Sequence, residues 1–110
     1  MSSDLSLGDV QQARARIASC VRRTPLVPSA TLSERLKTNV YVKLELFQKT
    51  GSFKVRGTFN KALSLEPETH DRGLTTVSGG NHALAVAYTA RALDLAAIIL
   101  MPESTPPVVI

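Results

Sequence analysis

The first part of the chain has the pattern of an amphipathic helix followed by a break. Ser6-Leu7-Gly8-Asp9 can cap a helix at its amino end. Apolar residues then recur at helical spacing, at Val10, Ala13, Ile17, Ala18 and Val21. Thr24-Pro25 is predicted to end this helix, because the residue before a proline avoids helical backbone angles.

Shorter helical and extended patterns follow. Thr31-Leu32-Ser33-Glu34 predicts a capping box for a short helix that ends near Lys37. Apolar and polar residues then alternate from Val40 to Leu46, which predicts a strand with one buried face. A further helix is predicted from Ser52, and its apolar side carries Val55, Phe59, Ala62 and Leu63.

The second half of the chain predicts a strand–helix–strand unit. Leu74–Val77 is a short strand rich in β-branched residues, and 96–101 is a continuous apolar strand that Pro102 stops. The segment between them, 83–93, is apolar on nearly every face and rich in alanine. Buried strands joined by a helix form a parallel pair with a right-handed crossover. The alternation of elements therefore predicts an α/β fold.

Composition limits the class of protein. The 110 residues amount to one domain at most, and the 44% hydrophobic content argues against disorder. No apolar run approaches the ~20 residues that cross a bilayer. The first residues lack a basic start and an apolar core, so we expect no secretory signal. The single cysteine, Cys20, cannot form an internal disulfide, which favours a cytoplasmic location.

The basic charge raises the alternative of a nucleic-acid-binding domain. The net charge is +4, and Arg14, Arg16, Arg22 and Arg23 crowd the first helical region. Basic residues late in a helix also complement its dipole, and no aromatic residues interleave with these arginines. We therefore expect neither a nucleic-acid partner nor a membrane partner.

A lysine stands at a chemically suggestive position. Thr50-Gly51-Ser52-Phe53-Lys54 places Lys54 after a tight Gly-Ser turn, at the start of the predicted helix. The positive end of a helix disfavours an ammonium ion, and Phe53 adds an apolar neighbour. Both effects favour the neutral amine that Schiff-base chemistry requires. The alternative is an ordinary solvated lysine at a basic helix start, and spacing alone does not separate the two.

A glycine-rich loop is the second chemical feature. Ser78-Gly79-Gly80-Asn81-His82 lies where the first strand of the β–α–β unit ends and its helix begins. Ligands of open α/β sheets bind at such carboxyl ends of strands. Two glycines permit close backbone approach, and the helix start offers N–H groups to a carboxylate or phosphate. Alternatively, the loop is only a tight turn that caps the helix.

Together these two motifs resemble a known family. The run from Lys43 to Asn60, followed by Ser78-Gly79-Gly80-Asn81-His82 and continuing to Tyr88, resembles the fold-type-II enzymes that use pyridoxal phosphate. It is most similar to the threonine/serine dehydratase and serine racemase group. Cysteine and threonine synthases resemble it less, because Asp-Arg usually follows their lysine where this chain has Val55-Arg56.

The resemblance implies roles for individual residues. Lys54 would form the Schiff base with pyridoxal phosphate and then move protons at the substrate α-carbon. Phe53 would pack near the cofactor, and Asn81 would hydrogen-bond its ring hydroxyl oxygen. The loop residues Ser78, Gly79, Gly80, Asn81 and His82 would hold the carboxylate of a small amino-acid substrate. The implied reaction is β-elimination from L-threonine or L-serine, giving a 2-oxo acid and ammonia.

The resemblance also implies an organisation for the chain. Residues 1–110 correspond to a single N-terminal piece of the catalytic region, with helices packed on a partial parallel sheet and no cofactor-phosphate region. Residues 1–37 would be a helical lead-in, and 38–110 the α/β part that carries the lysine and the loop. The parent enzyme would be a homo-oligomer.

One departure from the family bears on the reaction. Racemases of the group usually carry a second serine in the loop, where this chain has Gly79. A residue without a side chain cannot move a proton, so the sequence favours a lyase. Two alternatives of the same fold remain, a serine racemase-like enzyme and a non-catalytic binding module.

Overall fold

The computed structural model describes residues 4–109 of the chain. It contains five α-helices, which are α1 (Leu7–Ile17), α2 (Ala30–Leu36), α3 (Lys54–Leu63), α4 (Pro67–His70) and α5 (Asn81–Ala92). Its four strands are β1 (Leu26–Pro28), β2 (Tyr41–Lys43), β3 (Leu74–Val77) and β4 (Ala97–Leu100). Short 3₁₀ turns span Glu45–Phe47, Lys49–Gly51 and Pro107–Val109. Within the described part, no helix has the length and apolar character to cross a membrane.

The predicted β–α–β unit is confirmed. Strands β3 and β4 pair in parallel, with Leu74 opposite Ala97 and Val77 opposite Leu100. Helix α5 connects them and packs against both. It begins at Asn81, two residues before the predicted start, and β4 is one residue shorter at each end than the sequence indicated. The α/β class is therefore correct.

The strand predicted from Val40 to Leu46 is wrong in length. Strand β2 covers only Tyr41–Lys43 and pairs antiparallel with β1, a strand that the sequence did not predict. The alternation of half-buried and exposed side chains holds as far as Leu44 but fails at Leu46, which is 64% exposed. The chain turns after Leu44 because Glu45 faces Arg56 and Thr24 instead of continuing the ladder.

Two predicted helix boundaries also need correction. The Ser6–Asp9 capping box is present, but α1 ends at Ile17 and does not continue to Pro25. Its end is fixed by a turn in which the carbonyl of Ile17 accepts from the backbone N–H groups of Cys20 and Val21, at 2.9 and 3.2 Å. The backbone N–H of Arg22 then donates to the side chain of Gln48, outside the helix.

The amino end of α2 is capped by a different residue from the one predicted. The Ser29 hydroxyl accepts from the backbone N–H of Leu32, whereas Thr31 lies inside the helix. The hydroxyl of Ser33, inside the helix, accepts from the backbone N–H of Val40 at 2.9 Å. The predicted end is correct, since Lys37 adopts the left-handed conformation (φ 51°) that terminates the helix.

The core lies between α1, α3 and α5. Val55, Phe59 and Ala62 of α3 are buried as predicted, but Leu63 is exposed. Phe59 packs its ring edge-to-face with Tyr88 of α5, with ring centroids 6.2 Å apart. Buried alanines of α5 let the two helices approach closely. This α3–α5 contact joins the two segments that carry the predicted chemistry.

A buried hydroxyl pair crosses the α3–α5 contact and yields a testable expectation. The Oγ1 atoms of Thr58 and Thr89 lie 2.7 Å apart, and both residues are buried. Thr58→Val should destabilise the protein by about 1–2 kcal/mol, because it leaves the Thr89 hydroxyl buried without a partner. The double variant Thr58→Val/Thr89→Val should recover most of this loss, measured as the midpoint of urea unfolding. A double variant as unstable as the sum of the singles would contradict this account.

Candidate active site

The segment before Lys54 is a turn with unusual backbone angles. Thr50 and Gly51 both have positive φ, 62° and 76°. Glycine adopts this region without strain, but for a β-branched threonine it costs roughly 1–2 kcal/mol. Helix α3 begins at Lys54, two residues after Ser52, whose hydroxyl accepts from the Lys54 backbone N–H at 3.4 Å. The strained turn therefore places Lys54 at the first position of α3.

The Lys54 side chain is half-buried beside an exposed aromatic ring. Its Nζ lies 5.1 Å from the centroid of the Phe53 ring, and Phe53 is 59% exposed. Among residues 4–109, the Lys54 amine forms neither a hydrogen bond nor an ion pair. By contrast, Lys43 and Lys49 each donate to a backbone carbonyl, those of Thr24 and Cys20. The Lys54 amine therefore lies next to an apolar ring and has no hydrogen bond or ion pair to residues 4–109.

Gln48 fixes the backbone that leads into this turn. Its side-chain oxygen accepts from the backbone N–H groups of Arg22 and Lys49, at 2.9 and 3.0 Å. Its side-chain nitrogen donates to the carbonyl of Arg22 at 2.8 Å. The residue is buried, so these three hydrogen bonds satisfy an amide that would otherwise be costly to remove from water. Sequence patterns assign no role to Gln48, because its partner Arg22 lies 26 residues away.

An ion pair anchors the first turn of α3. Arg56 donates through Nε to Oε2 of Glu45 at 2.8 Å and through Nη2 to Oε1 at 2.7 Å. The Thr24 hydroxyl donates to the same carboxylate. The hydrogen bonds from Arg56, and secondarily that from Thr24, hold the pKa of Glu45 at about 2, although burial opposes this shift. The same pair raises the pKa of Arg56.

The glycine-rich loop lies at the carboxyl end of the parallel pair. The Ser78 backbone N–H donates to the carbonyl of Leu100 at 3.0 Å, which continues the β3–β4 ladder into the loop. The Ser78 hydroxyl accepts from the backbone N–H of Gly80 at 3.2 Å. Helix α5 starts at Asn81, whose side chain is exposed, and no side chain of residues 4–109 caps its first turn. The α5 N–H groups are therefore not occupied by a capping side chain, as an anion site requires.

The two loop glycines have different surroundings. A Cβ atom added to Gly80 would meet nothing within 4 Å, whereas one added to Gly79 would lie 2.8 Å from Oγ1 of Thr105. The open side of the loop is thus at Gly80, whereas the turn after β4 packs against Gly79. Ser78 and His82 are half-buried. Thr105 was not identified from the sequence, where it is one polar residue in a proline-rich segment.

The structure links the two predicted segments through helix packing. Helix α5, whose first residue is Asn81, packs along α3 and also contacts the 49–51 turn. Phe53 and Lys54 are neighbours at the start of α3, and residues 78–82 form one continuous loop and helix start. An open groove of about 1000 Å³ lies elsewhere, along α1. Its lining includes Arg14, Arg22 and Arg23 but none of the predicted site residues.

Comparison with known proteins gives matches over most of the chain. Residues 17–110 match the family described as "Pyridoxal-phosphate dependent enzyme". The catabolic L-threonine dehydratase TdcB of Staphylococcus aureus (strain USA300) is 48% identical over 103 residues, which are 93% of this chain and 30% of that protein.

Two solved structures resemble the fold over most of the chain. Serine racemase from Dictyostelium discoideum superposes with a TM-score of 0.87 at 34% identity, covering 97% of this chain and 35% of the racemase. The T.th. threonine deaminase has a TM-score of 0.76 at 47% identity, covering 91% of this chain and 32% of the deaminase. The chain spans about a third of the length of each relative. It belongs to the family of pyridoxal-phosphate-dependent enzymes.

Proposed function

We propose that this chain is the N-terminal part of a fold-type-II pyridoxal-phosphate-dependent dehydratase, an ammonia-lyase acting on L-threonine, L-serine or a related hydroxy-amino acid. The observation that carries the proposal is the Lys54 amine at the start of α3, which forms no hydrogen bond or ion pair with residues 4–109. Helix α3 packs against α5, and α5 begins directly after the open glycine-rich loop. We call the polypeptide that includes this chain and the portion its relatives have in addition the full-length protein.

The residues present fit the cofactor. Lys54 offers an amine without a partner among residues 4–109, and the exposed Phe53 ring lies beside it. In this proposal Lys54 holds the cofactor covalently, Phe53 packs near it, and the Asn81 amide hydrogen-bonds its ring oxygen. When bound, pyridoxal phosphate supplies an electron sink for charge that develops on the substrate α-carbon. The phosphate would be held by residues outside this chain.

The loop would hold the substrate. Ser78, Gly79, Gly80, Asn81 and His82 combine backbone N–H groups at a helix start with a hydroxyl and an amide. A carboxylate fits this array, and it would enter at Gly80, where the space is open. Once the substrate amine replaces the Lys54 amine on the cofactor, the released Lys54 amine would remove the α-proton, and the β-hydroxyl would take up a proton and leave as water. The protein's part of the work is to position the substrate against the Lys54 amine.

A lyase is favoured over a racemase. Gly79 has no side chain with which to move a proton on the second face of the substrate. The dehydratase and deaminase relatives are 48% and 47% identical to the chain, compared with 34% for the racemase. The racemase nevertheless has the higher TM-score of the two structures, which keeps a racemase-like enzyme as the second candidate.

Product formation tests the proposal. The full-length protein, supplied with pyridoxal phosphate and L-serine or L-threonine, should release 2-oxo acid and ammonia in equal amounts. Chiral chromatography should find little D-serine at the same time, because Gly79 provides no second acid or base. Rapid conversion of L-serine to D-serine would support the racemase instead. No turnover and no cofactor binding would support a non-catalytic module.

Other features belong to the same proposal. Residues 1–37 would be a helical lead-in and 38–110 the α/β part that bears the site. The full-length protein would act in the cytoplasm as a homo-oligomer, with an amino acid as substrate and without a nucleic-acid or membrane partner. The basic rim of the groove along α1 would then face other parts of the enzyme and not a nucleic acid.

A further inference from the structure

The turn after β4 packs directly against Gly79. This turn is closed by a hydrogen bond from the Thr105 backbone N–H to the carbonyl of Pro102, at 2.9 Å. A Cβ atom on Gly79 would lie 2.8 Å from Oγ1 of Thr105 and 3.2 Å from Cδ of Pro102. Cβ atoms essentially never approach a heavy atom within 3.0 Å, so any side chain at residue 79 would displace Thr105 or the loop.

Within residues 4–109, the Thr105 hydroxyl is buried without a hydrogen-bond partner. Thr105 is only 7% exposed, and its Oγ1 forms no hydrogen bond within the described part of the chain. A buried hydroxyl in this state costs free energy, and a valine would fill the same space without that cost. Packing therefore explains the size of the side chain but not its hydroxyl. The Thr105 hydroxyl can therefore form a hydrogen bond with the loop in a state in which the loop holds a ligand.

We propose that Thr105 is a positioning residue of the 78–82 loop. Acting through Gly79, it sets the position of the loop N–H groups that meet the carboxylate, and its hydroxyl hydrogen-bonds the loop when the carboxylate is held. Gly80 is independent of Thr105, because its open side faces away from any neighbour. This inference rests on the proposed function for the identity of the ligand, but not for the contact between Thr105 and Gly79.

Single substitutions at Thr105 separate its hydroxyl from its bulk. In the full-length protein, Thr105→Ala should raise the KM for L-threonine about fivefold with kcat changed less than about twofold. The dissociation constant of L-alanine, which has no β-hydroxyl to eliminate, should rise by a similar factor in equilibrium dialysis. Thr105→Ser keeps the hydroxyl and should behave as the unaltered protein. Equal losses in both variants, or a loss in kcat alone, would overturn the positioning role.

A double-substitution cycle tests the contact with Gly79. Gly79→Ala should weaken L-alanine binding about tenfold, because the added Cβ displaces the loop from Thr105. Adding Thr105→Ala vacates the space that the Cβ needs, so the double variant should bind no worse than Thr105→Ala alone, with a loss of about fivefold rather than the product of about fiftyfold. The matched control is Gly80→Ala, whose effect should simply multiply with that of Thr105→Ala. Independent effects of Gly79→Ala and Thr105→Ala would refute the proposal.

Melting temperatures without ligand distinguish this inference from the proposed function. Gly79→Ala should lower the melting temperature, and Thr105→Ala should partly restore it, whatever the ligand is. If the unaltered protein binds neither pyridoxal phosphate nor L-alanine, the proposed function fails. The melting temperatures of the single and double variants still decide whether Thr105 packs against Gly79 and holds the loop in position. If the effects of Gly79→Ala and Thr105→Ala on the melting temperature are independent, the positioning of the loop by Thr105 is disproved.

Discussion

Lys54→Ala in the full-length protein is expected to abolish covalent attachment of pyridoxal phosphate and to lower kcat at least about 10³-fold. The physical reason is that Lys54 is the only member of the predicted site with an amine, and that its Nζ forms no hydrogen bond or ion pair with residues 4–109. Borohydride reduction followed by peptide mass spectrometry should find the cofactor on Lys54. Lys54→Arg should be equally inactive, because a guanidinium keeps the charge but is not deprotonated.

The same helix provides the control. Lys61 lies in the last turn of α3 and is exposed, so Lys61→Ala should retain the cofactor and most of the activity. The melting temperatures of the Lys54 and Lys61 variants without cofactor should be close, since neither amine contributes a hydrogen bond within the described part of the chain. Labelling of a different lysine, or substantial turnover by Lys54→Ala, would remove Lys54 from its proposed role.

Glu45→Gln is expected to destabilise the protein by about 2–3 kcal/mol near neutral pH. The carboxylate accepts two hydrogen bonds from Arg56 and one from Thr24, and the amide of glutamine cannot replace the charge opposite Arg56. The Glu45 side chain is only 15% exposed, so solvent screens the pair less than it would at the surface. The melting temperature should fall by about 10–20 °C for a domain of this size.

The stabilisation by Glu45 is expected to decrease as the pH falls. The pKa of Glu45 is lowered from 4.5 to about 2, so the folded state favours the ionised carboxylate. The stabilisation is therefore fully present above pH 4.5 and is lost as the pH falls towards 2. The difference in melting temperature between the unaltered protein and Glu45→Gln should shrink over this range. A difference that stays constant with pH would show that the pair does not depend on ionisation.

An exposed glutamate supplies the comparison for this experiment. Glu34 lies in α2, and its side chain forms no hydrogen bond or ion pair within residues 4–109. Glu34→Gln should therefore change the free energy of unfolding by less than about 0.5 kcal/mol at every pH. A large effect at Glu34 would mean that net charge, and not the contact with Arg56, governs the response to pH.

The local signals in the sequence identified the elements with strong patterns. The β–α–β unit was correct because β-branched and apolar runs bounded by glycine and proline permit few other structures. The strand from Val40 to Leu46 was wrong because alternation cannot show that Glu45 will leave the ladder for Arg56. The early end of α1 was missed because the apolar spacing continues to Val21, past the turn that closes on the carbonyl of Ile17; only beyond that turn does Gln48 bind the backbone of Arg22.

The sequence by itself determined which residues of the proposed site stand at turns, helix starts and strand ends. It identified Lys54 after its turn and the loop from Ser78 to His82, because turn residues, helix starts and strand ends are local properties of the chain. Only the tertiary structure decided how these groups are held. The Arg56–Glu45 pair, the buried Gln48 and the contact of Thr105 with Gly79 all join residues distant in sequence. Such contacts depend on the packing of α3, α5 and the strands, which no local pattern specifies.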